Sequence, residues 1–186
     1  MLSLLNSSLA SIKNNIVSYN PDDDYIYING AKWRKANLIN FVLLGDDYQN
    51  PDYSWISGNN EKITFTPNGR YHILNRVLSG NTAIIWSDKN IDMSDYSKMV
   101  LRLQGISGLG QCIIGMTSKI TTGTLTQSLS TYFDYSYQNS SHSGSSKVVE
   151  TLEIDISSIN TSVYIGLGIM DNTAQFLIMD LYLEQV

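Results

Sequence analysis

In the stretch Val163-Tyr164-Ile165-Gly166-Leu167-Gly168-Ile169 every second residue is a large aliphatic one. A period of two puts Val163, Ile165, Leu167 and Ile169 on one face of a strand, and Tyr164, Gly166 and Gly168 on the other. A helix would scatter the same four residues around its circumference, so the stretch is a strand with one buried face. The two glycines leave the second face low enough for a neighbouring chain or a ligand to approach.

The same period recurs outward from there. Leu152, Ile154 and Ile156 alternate with Thr151, Glu153 and Asp155, and Leu101 and Leu103 alternate with Val100, Arg102 and Gln104. Downstream, Phe176-Leu177-Ile178-Met179-Asp180-Leu181-Tyr182-Leu183 is apolar on both faces, which suits a strand central in a sheet or one at a subunit interface. From residue 61 onward strand and turn signals alternate every eight to twelve residues or so. Strands are expected over 61–66, 71–78, 82–88, 97–104, 111–118, 126–137, 147–156, 162–169 and 175–184, with Trp86 in the core. The fold class is all-β: an antiparallel, jelly-roll-like β-sandwich head over residues 61–186.

Ahead of the head, residues 21–60 read as a hairpin and a connecting segment. Tyr25-Ile26-Tyr27-Ile28 and residues 31–36 flank Asn29-Gly30, the strongest two-residue hairpin signal. Residues 37–60 carry a short apolar run, Phe41-Val42-Leu43-Leu44, and then a loop bearing Tyr48, Tyr53 and Trp55. Residues 1–20 read as an oligomerisation helix. Leu2, Leu5, Leu9, Ile12, Ile16 and Tyr19 recur at spacings of three, four, three, four and three, an a/d seam that predicts an α-helical coiled-coil stalk ending before Pro21. Its apolar stripe must be covered, either by other copies of the chain or by the domain that follows. Three heptads are marginal alone, and the mixture of Leu, Ile and Tyr at a and d does not set the number of helices.

Composition narrows the function classes. Charged residues make up 16% of the 186-residue chain, against about 25% in typical globular proteins. The net charge of -5 argues against a phosphate-backbone partner, which needs a clustered Lys/Arg surface, so no nucleic acid partner is expected. The single cysteine, Cys112, sits in an apolar run and reads as a core thiol. The N-terminus lacks a basic n-region, and Ser and Asn interrupt its apolar runs, so a signal peptide is not expected. No stretch approaches the roughly 18 apolar residues of a membrane span, so membrane insertion is not expected either.

Catalytic motifs are missing from the sequence. There is no nucleophile elbow, no Ser-x-x-Lys, no glycine-rich phosphate loop and no paired-histidine zinc motif. His72 lies in an expected strand and His142 in a Ser/Asn-rich loop. Glu150, Glu153, Asp155, Asp171 and Asp180 read as outward strand or turn residues. Asp22-Asp23-Asp24 reads as a solvated turn, so neither a metal nor another cofactor is expected, and the chain is not expected to be an enzyme. Twelve Tyr and three Trp are more suggestive, because flat aromatic faces stack on the C–H faces of sugars. Tyr48, Tyr53, Trp55, Tyr132, Tyr135 and Tyr137, with His142 beside them in sequence, are the ligand-binding candidates. The same composition also suits a protein interface.

The hairpin Tyr27-Ile28-Asn29-Gly30-Ala31-Lys32-Trp33-Arg34-Lys35-Ala36 resembles repeats in tail and baseplate proteins of phages and prophages of Firmicutes and other gut bacteria. The runs at 91–103, 152–159 and 163–169 are similar to the β-sandwich heads that follow such hairpins. The resemblance implies a phage structural or fibre protein of the virion, with a coiled coil, commonly homotrimeric, presenting heads that adhere to host cell-surface glycan. Its partners would be itself and other virion proteins. The alternatives are a virion adaptor with no free ligand and a monomeric bacterial carbohydrate-binding module.

Overall fold

The computed structural model describes residues 17–19, 25–28, 31–34, 41–45, 48–58, 62–79, 82–123, 125 and 131–185. The chain divides into two compact units between Leu38 and Ile39. The first holds an antiparallel three-stranded sheet of β1 (Val17–Tyr19), β2 (Tyr25–Ile28) and β3 (Ala31–Arg34), in that order. Ile28 lies opposite Ala31, the register that a two-residue Asn-Gly connection requires.

The expected helix does not run to Tyr19, because Val17, Ser18 and Tyr19 pair with Ile28, Tyr27 and Ile26. A β-branched and an aromatic residue favour the extended backbone, and pairing with β2 supplies hydrogen bonds that a last helical turn before Pro21 would lack. Among the described residues there is no α-helix, so the coiled-coil stalk is not supported. Its other seam positions, Leu2, Leu5, Leu9, Ile12 and Ile16, lie outside the described residues.

The second unit is an antiparallel β-sandwich. Its strands are β4 (Phe41–Gly45), β5 (Tyr48–Gln49), β6 (Trp55–Ser57), β7 (Ile63–Asn68), β8 (Tyr71–Arg76), β9 (Ala83–Ser87), β10 (Ile91–Asp92), β11 (Tyr96–Gly108), β12 (Gln111–Thr117), β13 (Tyr137–Ser143), β14 (Val149–Asp155), β15 (Ser162–Met170) and β16 (Ala174–Gln185). One sheet has the order β13-β12-β15-β9-β6, with β10 also on β15. The other has the order β14-β11-β16-β4-β5, with β8 also on β16 and β7 on β8. The sandwich therefore begins at Phe41, inside the segment expected to be a connection.

Alternation places the core between the sheets. Val163, Ile165, Leu167 and Ile169 of β15 face Leu101, Leu103, Phe176, Ile178, Leu181 and Leu183 of β11 and β16 in one buried cluster. β16 takes the central position of the two that its sequence allows, with β11 along one side. Its other side is divided: residues 174–178 pair with β8 and residues 181–183 pair with β4. Cys112 is fully buried, and burial pushes its thiol pKa far up, so it is an inert core group.

The strand expected over 126–137 is displaced. β13 starts at Tyr137, and residues 131–136 are turns. Tyr132, Phe133 and Leu125 instead cover Ile84, Trp86 and Ile113 on the outward face of the β15 sheet, forming a second buried cluster. The space left by the glycines of β15 is filled from within. A Cβ at Gly166 would overlap the Trp86 ring and press on Phe133, and one at Gly168 would meet Ile113, Ile84 and the Ala83 carbonyl. The close approach expected at these glycines is made by the chain itself, with aromatic side chains at Gly166 and aliphatic side chains and backbone at Gly168.

Candidate functional site

On the outward face of the seven-stranded sheet a groove of about 620 Å³ is lined by Phe41, Val42, Leu44, Gly45, Tyr48, Asn50, Asp180 and Tyr182. Its origin is in the register. Tyr182 sits between the buried Leu181 and Leu183, so alternation turns it outward, opposite Val42. The ladder slips at two neighbouring places: Leu43 is an extra residue in β4 between the pairs Leu44–Leu181 and Val42–Tyr182, and Met179 is an extra residue in β16 between Ile178–Leu103 and Asp180–Arg102. Such bulges re-aim side chains and bend the strand. They lie where the β4 pairing on β16 gives way to the β8 pairing, so the groove occupies a break in the sheet.

The walls are chemically mixed. Tyr48 is 45% exposed, and Gly45 contributes no side chain to the floor; a Cβ there would make only ordinary contacts with Val42, Asp180 and Tyr48. The Tyr182 hydroxyl pKa is raised, first by burial and then by the carboxylates of Glu184 and Asp180, so it stays a protonated donor at neutral pH. One oxygen of Asp180 pairs with Arg102 at 3.2 Å. Asn50 holds the groove's rim: its Nδ2 donates to Val42 O at 3.3 Å, its Oδ1 accepts from Asp52 N at 3.0 Å, and its own N–H donates to Leu43 O at 2.9 Å.

The ligand candidates named from sequence are dispersed. Tyr48 lines the groove. Tyr53 packs edge-on to Phe41 with centroids 5.5 Å apart, and Lys89 Nζ lies 6.0 Å from its ring centre. Trp55 packs against Phe65 at 5.4 Å and helps to close the core. Tyr132 is 5% exposed and belongs to the second buried cluster, so it offers no face to a ligand. Tyr135 and Tyr137 are 43% and 42% exposed, but they accompany the other sheet, where Tyr137 stacks on Phe133 at 5.7 Å. His142 is in β13, not in a loop.

Around His142 the chemistry is structural. Ser141 Oγ donates to Glu150 Oε1 at 2.7 Å, and His142 Nδ1 lies 2.9 Å from Ser141 Oγ and 3.5 Å from Glu150 Oε2. A nucleophilic serine needs its proton directed at a base whose second nitrogen is held by the acid. Here serine and carboxylate compete for one nitrogen and the hydroxyl proton goes to the carboxylate. Of the other carboxylates expected to face outward, Glu153 lies 3.2 Å from Lys98, which Glu184 also approaches at 3.5 Å, and Asp155 accepts from Ser157. Among the described residues no His/Cys/Asp/Glu group suits a metal ion.

Sequence reasoning missed Tyr182 and Phe41, and read Asp180 only as an outward strand or turn residue. The usable signal was the alternation of β16, which turns Asp180 and Tyr182 to the side opposite Leu181 and Leu183.

No family model matches the chain, and no curated protein matches it. Among solved structures it is similar to a point mutant of a family 29 carbohydrate-binding module, with a TM-score of 0.51 at 12% identity over 77% of this chain and 89% of that one. It is also similar to the family 11 carbohydrate-binding module from Clostridium thermocellum in complex with a β-1,3-1,4-mixed-linked tetrasaccharide. There the TM-score is 0.50 at 11% identity, over 79% of this chain and 96% of that one. At such identities the likeness is one of fold: the chain shares the β-sandwich of carbohydrate-binding modules.

Proposed function

We propose that the sandwich is a carbohydrate-binding module that holds glycan, without turning it over, in the groove between β4 and β16. The observation that carries this reading is the meeting of Tyr48, Tyr182 and Asp180 in one open groove. Aromatic rings offer apolar faces to sugar C–H groups, a phenol donates to a ring or hydroxyl oxygen, and a carboxylate accepts from hydroxyls. The volume falls in the range of small-ligand sites. The fold supports the same reading, since a sandwich similar to this one is in complex with a tetrasaccharide.

Affinity electrophoresis through gels containing neutral polysaccharides tests it. Retardation is expected for the wild type. Tyr182→Ala should abolish it, and Asp180→Asn should weaken it about tenfold, the effect of losing about 1.4 kcal/mol. Retardation unchanged in both variants would place any binding elsewhere, and no retardation on any glycan would end the reading.

The Tyr25–Ile28/Ala31–Arg34 hairpin favours a second reading, a virion fibre component whose copies associate through residues 1–20. It keeps glycan as the ligand and differs in assembly. Light scattering separates the two: a monomer supports the free-standing module, and a trimer that Ile12→Asp disperses supports the fibre.

A further inference from the structure

The groove sits at a break in the sheet, and one side-chain tie crosses that break. β5, which carries Tyr48, pairs with β4, while β8 pairs with β7 and β16; no ladder joins β5 to β8 among the described residues. Gln49 of β5 and His72 of β8 meet across the gap, with Gln49 Oε1 3.0 Å from His72 Nε2. Gln49 Nε2 donates to Tyr53 O at 3.3 Å, which fixes Oε1 as an acceptor and puts the imidazole proton on Nε2.

His72 Nδ1 is then a bare lone pair. It is buried with no hydrogen-bond partner, in a residue 7% exposed whose ring stacks on Phe65 at 4.9 Å. Gln49 of β5 meets His72 at Nε2 and Phe65 of β7 stacks on its ring, while Pro67 of β7 and Ile178 of β16 lie opposite it in the ladders. None is charged or titrates. Burial alone holds the imidazole pKa below its ordinary value. A second proton would put an N–H without an acceptor, and a full charge, into this dry position.

We propose that His72 is a positioning residue that, through Gln49, pins the Tyr48 wall of the groove while neutral and releases it when protonated. The neutral ring satisfies Gln49 and stays buried. The protonated ring is stabilised only by turning toward water, which breaks the tie to Gln49 and frees β5 beside it. The consequence for ligand affinity rests on the glycan reading above, but the latch itself does not.

Backbone hydrogen exchange of the full chain, corrected for the intrinsic effect of pH, tests the latch without ligand. The reporter is the Asn50 amide, which donates to Leu43 O. Between about pH 7.5 and pH 5, a range that spans imidazole titration, its protection should fall several-fold while that of β15 amides holds. His72→Phe keeps the stack on Phe65 but not the tie, and should show low Asn50 protection at both pH values. His72→Gln keeps a neutral donor, and should show high protection at both. Asn50 protection that follows β15 at both pH values, or a Phe variant indistinguishable from the wild type, overturns the latch. Should the Phe variant not fold, the wild-type comparison decides. Gel retardation measured in parallel keeps the two ideas apart: a latch that titrates in a chain that binds no glycan sinks only the binding reading.

Discussion

Trp86 carries the cover of the β15 sheet. Its ring is fully buried between Gly166 below and Phe133 above, with ring centroids 5.5 Å apart, and its Nε1 donates to Thr121 O at 2.9 Å. Trp86→Ala should cost about 3–5 kcal/mol in denaturant unfolding, and Gly166→Ala, which drives a methyl into the same ring, about 1–3 kcal/mol. Because the two share one space, the double variant should cost clearly less than the sum; strictly additive costs would show that the glycine is needed for something other than the tryptophan. The strand pattern placed Trp86 in the core without naming what packs on it. An alternating pattern tells which side a residue takes, whereas what lies over that side comes from the distant Tyr132 and Phe133. The same limit hid the groove, since Tyr48, Asp180 and Tyr182 are brought together by register slips at Leu43 and Met179 that no local pattern encodes.

At the scale of elements, the turn that carries Asp134 is tied to the end of β12 by a clasp. Asp134 Oδ2 accepts from Thr117 Oγ1 at 3.0 Å, Ser118 N at 2.8 Å and Ser118 Oγ at 2.5 Å. The Ser118 hydroxyl and backbone N–H hold the Asp134 carboxyl below its ordinary pKa. A folded pKa that is depressed contributes stability above the unfolded value of about 3.9, and that stability is lost as pH falls through the folded value. Tryptophan fluorescence should therefore report loosening of the cover between about pH 4 and pH 2, and Asp134→Asn should flatten that transition; an unaltered acid transition in the variant would rule the clasp out. Strands such as β14 and β15 were legible because each turns its large aliphatic residues to one face, in a single core. Residues 131–136 were misread as strand because Tyr132 and Phe133 mimic a strand's apolar content while packing from a turn.

For the molecule as a whole, the division at Leu38 and Ile39 predicts that residues 39–186 alone fold and unfold in one cooperative denaturant transition, as followed by circular dichroism; a gradual loss of signal would mean that they are not a complete folding unit. The wiring of the sandwich has a further consequence, for synthesis. The chain passes repeatedly between the sheets, and β16 lies between β11 on one side and β4 and β8 on the other. While residues 174–185 are still inside the ribosome, β4, β8 and β11 have no common neighbour, and the β16 side of the groove, Asp180 and Tyr182, does not exist. Until β16 is in place the edges of β4, β8 and β11 that it covers are unpaired, and exposed strand edges are where β proteins aggregate.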